Sequence, residues 1–258
     1  MLKTNLKKYL ILPLVLLLFS LIQSSGLQEL TSFENIKKYA IEHSIGFKNI
    51  EELINHNQIK DLFEKNIEFS DFLVYKLLSE YIPKKSIVHF GNSSAIRYSQ
   101  LFEKFGQMKI SSNRGTSGIE GSLSTSVGIA YSNPSVSVWC ILGDLSFFYD
   151  SNALWNNYIP NNFRIILINN SGGGIFRILP GKNDTKIFDT FFETKHNLTA
   201  KQLCKMFNMT YLTASTSNEL QEAMSILKKD NKAPILLEIF TPSTINDQVL
   251  LDYFEFIA

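Results

Sequence analysis

The stretch that decides the fold, Val136 to Phe176, contains two apolar segments, VSVWCIL at residues 136–142 and FRIILI at residues 163–168. Each segment ends abruptly in small polar residues, Gly143-Asp144 after the first and Asn169-Asn170-Ser171-Gly172 after the second. Continuous apolar runs of this length, with helix-like sequence between them, predict buried strands of a parallel sheet. The predicted fold class is therefore α/β: a parallel sheet with helices on both faces, preceded by a helical segment.

The polar residues that follow these two strands predict a binding site. Ligands of open α/β sheets bind beyond the carboxyl ends of the strands, so Asp144 and Asn170 should face one crevice. Their carboxylate and amide oxygens, with a backbone carbonyl of the glycine-rich turn, are hard ligands that suit Mg²⁺. Gly172, Gly173 and Gly174 allow the backbone to approach an anionic group closely.

Three motifs carry a resemblance to a known family. Asn170 follows Asp144 by 26 residues, and this spacing resembles the Gly-Asp and Asn-Asn signature of thiamine-diphosphate enzymes. The segments GNSSAIR at residues 91–97 and SNRGTSGIEG at residues 112–121 make the chain similar to the MenD family, the 2-succinyl-5-enolpyruvyl-6-hydroxy-3-cyclohexene-1-carboxylate synthases of menaquinone biosynthesis. The resemblance covers residues 69–242, the diphosphate-binding half of those enzymes. Leu145 departs from it, because the signature usually continues as Gly-Asp-Gly.

The resemblance implies a set of site residues. Its cofactors are thiamine diphosphate and Mg²⁺, with the metal held by Asp144, Asn170 and the Gly172 carbonyl. Ile119 matches the apolar wedge that bends the cofactor into a V shape. The residues implied for cofactor binding are Ile119, Gly143, Asp144, Leu145, Asn170, Gly172, Gly173, Ile175, Phe176 and Leu179. The residues implied for substrate binding are Asn92, Ser93, Arg97 and Arg114, and the planar arginine forks suit carboxylates.

Structural roles also account for several of these residues without a ligand. Arg97 fits a solvated position in the first turn of a helix, and Ile119 considered alone would be assigned to the core. Gly118, Gly121 and Gly128 are explained by close packing of a helix rich in small residues.

The implied reaction is a carboligation. The resembled enzymes decarboxylate 2-oxoglutarate and add the resulting succinyl carbanion to isochorismate, so these small molecules are the implied substrates. Their cofactor lies between two domains, and a glutamate of the pyrimidine-binding domain promotes its activation. Residues 1–68 contain no motif of such a domain. We therefore expect the isolated chain to be inactive unless another chain supplies the pyrimidine-binding domain, and an active site built at an interface predicts a homo-oligomer.

The sequence leaves two other functions open. One is a non-catalytic module that binds thiamine diphosphate and Mg²⁺, or a fragment, with or without a membrane anchor. The other is a different 2-oxoacid carboligase or decarboxylase. Leu145, Arg97 and Arg114 disfavour that second alternative, because two arginines suit a dicarboxylic 2-oxoacid and an acidic acceptor better than pyruvate.

Composition indicates which partners the chain can bind and whether its cysteines are reduced. The formal net charge is +1, and no Arg/Lys-rich face stands out, so we predict no nucleic-acid partner. Cys140 in an apolar strand and Cys204 in a helical pattern predict buried thiols rather than a disulfide.

The domain organisation is predicted in three parts. In residues 1–26, three lysines precede an apolar run from Tyr9 to Ile22, the pattern of a secretory signal or anchor; a mis-started reading frame or a buried core helix would produce the same pattern. Residues 27–68 predict a helical linker or a middle-domain remnant, and residues 69–258 the thiamine-diphosphate-binding domain. The cofactor chemistry predicts a cytoplasmic location, whereas the N-terminal pattern keeps membrane attachment or export open.

Elements around the two central strands follow from shorter patterns. Ser70 and Pro83 predict the limits of a helix that turns Leu73, Leu77, Leu78 and Tyr81 inward. A capping box at Thr216 and Glu219 predicts a helix over residues 220–229. The other predicted elements are strands at 86–90, 108–112 and 234–240, helices at 95–105, 122–131 and from Thr199, and a loop over 182–197 that could cover the site.

Overall fold

The structure is a computed structural model that describes residues 67–178, 185–229 and 232–257, with side chains described up to residue 254. Residues Phe69–Asp247 form one compact unit, and residues Met1–Glu68 with Gln248–Ala258 form a second. The predictions for residues 1–26 and for nearly all of 27–68 lie outside the described residues. None of the helices in the described part of the chain is both long and apolar enough to cross a membrane.

A six-stranded parallel sheet forms the centre of the larger unit, in the order β2-β1-β3-β4-β6-β5. Its strands are β1 (Ile87–Phe90), β2 (Lys109–Ser112), β3 (Val138–Gly143), β4 (Phe163–Asn169), β5 (Thr210–Ala214) and β6 (Ile235–Phe240). The α-helices are α1 (Asp71–Tyr81), α2 (Ser94–Ser99), α3 (Ser122–Ser132), α4 (Asp144–Tyr149), α5 (Lys201–Met206), α6 (Ser217–Leu227) and α7 (Asn246–Ile257). Short 3-10 segments cover Glu103–Gln107, Ser151–Leu154 and Gly174–Ile178, and a π-helix covers Phe188–Glu193. The predicted α/β class is confirmed.

The register of the two central strands determines where the polar residues that follow them lie. All of β4 is buried, as is β3 apart from Gly143. Each fully buried aliphatic side chain there contributes roughly 1.5–3 kcal/mol, so the strands are held firmly in register. That register pairs Gly143 with Ile168, so Asp144 and Asn169 begin the polar segments side by side.

The order of the strands places a crevice between β1 and β3. From β1 the chain moves outward to β2 on one side, whereas from β3 it moves to β4 on the other side. Such a reversal separates the loops that follow the two strands and leaves room for a ligand beyond their carboxyl ends.

Helix α1 buries Leu78 as predicted but turns Leu73, Leu77 and Tyr81, the other residues of the predicted face, partly away from the core. Phe72, Val74, Tyr75 and Leu78 are its buried apolar residues, whereas Leu73 and Leu77 are half-buried. Tyr75 stacks on Tyr98 of α2, with ring centroids 5.0 Å apart. Residue 71 lies on the same face as residues 74, 75 and 78 because side chains three, four and seven positions apart align on a helix, so this rotation buries Asp71.

Other differences from the predicted elements have tertiary causes. The helix predicted over 95–105 ends at Ser99, and the chain continues in a 3-10 segment whose Phe105 ring packs on Phe90 at 5.1 Å. The predicted loop 182–197 contains the π-helix, and β5 was not predicted because this half-exposed edge strand has no continuous apolar run. The prediction that close packing explains the small residues of α3 is wrong at Gly128, where an added Cβ would meet no atom within 4 Å.

Two smaller predictions are confirmed. Thr216 caps α6, because its Oγ1 accepts a hydrogen bond from Glu219 N at 3.3 Å. The Glu219 carboxylate accepts from Ser215 N at 2.6 Å rather than from Thr216 N, so the reciprocal bond of the capping box is displaced by one residue. Cys140 and Cys204 are both buried free thiols, and burial raises the pKa of each to about 12.

Candidate functional site

A cavity lies beyond the carboxyl ends of β1, β3 and β4, with a volume of about 650 Å³ when its open mouth is included. The predicted site residues that line it are Asn92, Ser93, Ile119, Gly143, Asp144, Leu145, Asn170, Gly172, Gly173, Ile175 and Phe176. Leu179 lies outside the described residues, and Arg97 and Arg114 lie beside the cavity rather than in its lining.

Asp144 joins the two central loops. Its carboxylate is buried, Oδ1 accepts a hydrogen bond from Leu145 N at 2.6 Å, and Oδ2 accepts one from Gly172 N at 3.0 Å. The departure at Leu145 is compatible with the backbone, because residue 145 lies within α4 and has no positive φ. A helical residue does not require glycine, so the leucine leaves the conformation of this motif intact.

The glycine turn after Asn170 requires its glycine at position 172. Gly172 has φ of 150°, a region that side chains disfavour, and an added Cβ would lie 2.5 Å from the Glu193 carbonyl oxygen. The neighbouring Gly173 N donates to the same carbonyl at 2.6 Å. The turn is therefore pressed against the π-helix, and its backbone rather than side chains faces the cavity.

The segment that packs on this turn is held by an ion pair. Arg177 donates two hydrogen bonds to the buried Glu193 carboxylate, Nε to Oε1 and Nη2 to Oε2, each at 2.6 Å. The Glu193 hydrogen bond raises the pKa of Arg177 above its usual value. The Phe176 ring contacts Phe192 at 5.8 Å, so the described part of the predicted covering loop borders the glycine turn.

Two residues that sequence reasoning missed support the side of the cavity that carries the predicted metal ligands. The first is His196, whose Nε2 lies 3.3 Å from Asp144 Oδ2 without meeting hydrogen-bond geometry. Its Nδ1 accepts from Leu198 N at 3.1 Å, so Nε2 is the protonated nitrogen facing the carboxylate. The interaction with Asp144 raises the pKa of His196. No sequence signal marked it, because it lies in an irregular segment 52 positions after Asp144.

The second missed residue is Asp71, the first residue of α1. Its Oδ2 accepts a hydrogen bond from Asn170 Nδ2 at 2.8 Å, and its Oδ1 accepts one from Thr241 Oγ1 at 2.6 Å. Burial raises the pKa of Asp71 to about 6. The signal that could have found it is the helical spacing of Asp71 with Val74, Tyr75 and Leu78, which places a carboxylate on an otherwise apolar face.

Asn92 organises the other side of the cavity. Its Nδ2 donates to the carbonyls of Asn113 at 3.0 Å and Gly118 at 2.6 Å, and its Oδ1 accepts from Arg114 Nη1 at 2.8 Å. This buried amide therefore ties the loop after β1 to the loop after β2. Its predicted role in substrate binding stays a prediction, since these bonds give it a structural role.

The two predicted arginines lie close to one another. Arg97 Nη1 donates to the Ser93 carbonyl at 2.8 Å. Burial lowers the pKa of Arg97, and the nearby positive charge of Arg114 lowers it further. Ser93 itself has φ of 67° and ψ of −127°, an unusual conformation for a residue with a side chain. Two neighbouring guanidinium groups beside a cavity favour an anionic ligand such as a carboxylate.

Ile119 is held in the cavity wall by its backbone. The Ser146 hydroxyl donates to the Ile119 carbonyl, and Ser146 belongs to α4, which begins with Asp144. The predicted apolar wedge and the predicted metal ligand are therefore fixed by the same short helix.

The donor set fits Mg²⁺ beside a diphosphate. Asp144 offers a carboxylate, Asn170 an amide oxygen and Gly172 a backbone carbonyl, and hard oxygen donors are what Mg²⁺ prefers. The Gly172 carbonyl also accepts from Gly174 N at 3.1 Å, which leaves it a second lone pair. Within the described ranges, no group of three or more His, Cys, Asp or Glu side chains is placed to hold a metal ion.

The switch-point crevice, the glycine turn and this donor set together define the diphosphate-binding domain of a thiamine-diphosphate enzyme. Comparison with protein families agrees: residues 91–239 match the family described as thiamine pyrophosphate enzyme, C-terminal TPP binding domain. The chain belongs to this family, which confirms the predicted fold and the thiamine-diphosphate assignment.

The relatives narrow the family to one kind of enzyme. The chain is 56% identical over 190 residues to the 2-succinyl-5-enolpyruvyl-6-hydroxy-3-cyclohexene-1-carboxylate synthase of Christiangramia forsetii. The aligned region is 74% of this chain and 33% of the relative. The synthase of Flavobacterium johnsoniae is 49% identical over 210 residues, 81% of this chain and 38% of the relative. That of Bacteroides fragilis is 36% identical over 200 residues, 77% of this chain and 36% of the relative. The predicted resemblance is confirmed, and the chain spans about a third of the length of these relatives.

Proposed function

We propose that this chain is the diphosphate-binding part of a synthase that decarboxylates 2-oxoglutarate and adds the succinyl unit to isochorismate in menaquinone biosynthesis. The observation that carries the proposal is the convergence of Asp144, Asn170 and Gly172 on a cavity bordered by two arginines. Similarity to synthases of this name from several organisms supports the same assignment.

Each side of the cavity has its own task in this proposal. Asp144, Asn170 and the Gly172 carbonyl hold Mg²⁺, and the glycine turn admits the diphosphate. Ile119 supports the cofactor from the wall. When bound, thiamine diphosphate supplies the stabilisation of negative charge that decarboxylation requires.

The substrate-facing side acts through charge and orientation. Arg97 and Arg114 bind the carboxylates of 2-oxoglutarate and isochorismate, because a planar guanidinium presents paired donors to a carboxylate. Asn92 keeps Arg114 in place through the 2.8 Å hydrogen bond to its Oδ1. Ser93 lines the cavity, accepts the Arg97 hydrogen bond on its carbonyl and is the fourth residue we assign to substrate binding.

The proposal includes a second polypeptide. A pyrimidine-binding domain from another chain supplies the activating glutamate, and the assembled synthase is a homo-oligomer of such pairs. We also propose a cytoplasmic location, which the buried free thiols Cys140 and Cys204 favour, since reduced cysteines are typical of that compartment.

Release of CO₂ from 2-oxoglutarate tests the proposal. The 258-residue chain is assayed with thiamine diphosphate and Mg²⁺, with and without isochorismate, alone and with the N-terminal part of the Christiangramia forsetii synthase. We expect no turnover by the chain alone and turnover when the second polypeptide is added. Turnover by the chain alone would contradict the need for a second polypeptide.

The alternative is a non-catalytic module that binds thiamine diphosphate and Mg²⁺. The observation that favours it is the location of every predicted metal ligand within one compact unit. Cofactor binding without turnover in any combination of the assay would support this alternative over the synthase.

A further inference from the structure

The Asn169-Asn170 pair is held by two buried carboxylates from different parts of the fold. Asn169 Nδ2 donates to Glu238 Oε1 of β6 at 2.7 Å. Asn170 Nδ2 donates to Asp71 Oδ2 of α1 at 2.8 Å. Glu238 is fully buried, and Asp71 is 3% exposed. Each amide of the pair therefore has a dedicated acceptor that solvent cannot easily replace.

Asp71 is itself fixed at three points. Its Oδ1 accepts from Thr241 Oγ1 at 2.6 Å, its Oδ2 accepts from Asn170, and its backbone N donates to Asn246 Oδ1 at 2.8 Å. Rotation of the carboxylate would break at least two hydrogen bonds in a buried environment, and an unpaired buried donor costs about 1–3 kcal/mol. Asp71 is therefore a rigid acceptor behind Asn170.

A rigid acceptor decides which end of an asparagine faces a ligand. The amide has an NH₂ donor and an oxygen acceptor of nearly the same size. An ionised carboxylate accepts only, so it binds the NH₂ group and turns Oδ1 to the other side. Among the described residues, Asn170 Oδ1 accepts no hydrogen bond, and Asn170 lines the cavity together with Asp144 and Gly172.

We propose that Asp71 is a positioning residue, which orients the Asn170 amide so that its oxygen completes the Mg²⁺ ligand set. This inference rests on the proposed function, because it requires the metal to bind at Asp144, Asn170 and Gly172. Partners of metal ligands typically contribute about 10- to 100-fold in metal affinity. Helix α1 lies outside the three motifs of the family, so this residue extends the site to another part of the chain.

Metal affinity tests the proposal in variants of the chain, each assayed together with the N-terminal part of the Christiangramia forsetii synthase, because the proposed synthase binds its cofactor between two polypeptides. The dissociation constant of Mn²⁺, a paramagnetic substitute for Mg²⁺, is measured by electron paramagnetic resonance with saturating thiamine diphosphate. We expect Asp71→Ala to weaken Mn²⁺ binding about 10- to 100-fold. Asp71→Asn should stay within about 3-fold of the natural chain, because its amide oxygen can accept from Asn170 while its NH₂ donates to Thr241. Equal weakening in both variants would overturn the orientation argument.

Glu238→Gln is the matched control. It neutralises a second buried carboxylate that holds the neighbouring Asn169, which is not a proposed metal ligand. We expect its Mn²⁺ affinity to stay within about 3-fold of the natural chain, well short of the effect of outer-shell partners of metal ligands. If Glu238→Gln weakens Mn²⁺ binding as much as Asp71→Ala does, the loss of affinity in Asp71→Ala reflects a general loss of stability, and the proposal is overturned.

Two further measurements separate failure of this inference from failure of the proposed function. If Asp144→Ala does not change Mn²⁺ affinity, or if the natural chain binds no Mn²⁺, the metal site itself is wrong. If Asp144→Ala abolishes binding and Asp71→Ala does not weaken it, only the positioning role is wrong. The NMR signal of the Asn170 side-chain amide in metal-free protein gives a readout that does not depend on metal binding. Asp71→Ala should shift this signal, and Asp71→Asn should shift it less.

Discussion

The two sides of the cavity are built differently. Around the glycine turn, the buried carboxylates of Asp71, Asp144 and Glu238 each receive at least two hydrogen bonds from the protein. Beyond β1 and β2, the Arg114 guanidinium donates one hydrogen bond within the described residues, to Asn92.

This difference indicates which side is preorganised and which side has hydrogen-bonding capacity to spare. A ligand set for a small, strongly hydrated cation must have its geometry fixed beforehand, since Mg²⁺ requires near-octahedral coordination. In the proposed function, Arg114 receives a carboxylate, and its unused donors are available for the hydrogen bonds that the substrate would complete. The proposed substrate side therefore keeps donors of Arg114 for a ligand, whereas the three buried carboxylates on the proposed metal side are held rigidly.

The largest effect is expected from Asp144→Ala. The change removes the carboxylate from the proposed ligand set and also the acceptor for Gly172 N. Affinity for Mg²⁺ and thiamine diphosphate should fall by more than about 100-fold, beyond the effect of outer-shell partners. Isothermal titration calorimetry measures it. Asp150→Asn, which alters a buried carboxylate that caps α3 through Ser124, is the control, and unchanged cofactor affinity in Asp144→Ala would refute the metal assignment.

An intermediate effect is expected from His89, which is buried within β1 and has its Nδ1 2.9 Å from Ser111 Oγ. Burial lowers the pKa of His89 from 6.5 to about 4, so the folded chain excludes a proton that the unfolded chain binds below pH 6.5. The free energy of unfolding should therefore decrease as pH falls through this window, by about 2 kcal/mol between pH 7 and pH 5. Asp71, whose pKa is raised by burial, contributes with the opposite sign.

The contribution of His89 is isolated by its replacement. His89→Gln keeps a polar partner for Ser111 and removes the titration. Urea unfolding at pH 5 and pH 7 should give a pH-dependent loss that is about 2 kcal/mol smaller in the variant than in the natural chain. Identical losses in the two chains would mean that His89 is not the group excluded from protonation.

The smallest effect is expected from Arg114→Lys. An ammonium cannot reproduce the paired donors of a guanidinium, and a hydrogen bond to a charged group contributes about 1.5–3 kcal/mol. In the reconstituted synthase, KM for 2-oxoglutarate should rise by about 10-fold or more while affinity for thiamine diphosphate stays the same. An equal loss in cofactor affinity would show that the two sides of the cavity are not separable.

The sequence by itself determined the centre of this protein. The long apolar runs of β3 and β4 predicted buried strands of a parallel sheet. The residues that follow them, Asp144 and Asn170, lie at the same edge because the carboxyl ends of parallel strands share one edge of the sheet. The family resemblance was equally local, since its motifs are continuous stretches. Most predicted cofactor residues line one cavity for this reason.

Only the tertiary structure decided what supports these residues. Asp71 reaches Asn170 across 99 positions, and Glu238 reaches Asn169 across 69; no local pattern encodes such contacts. The face of α1 was predicted only in part because leucines occupy two of its sides, and only packing against Tyr98 and Phe102 selects the face that buries Asp71. Likewise, Gly172 needs to be glycine because of the distant Glu193 carbonyl. Periodicity identifies strands and helices, whereas contacts between distant segments depend on how those elements pack.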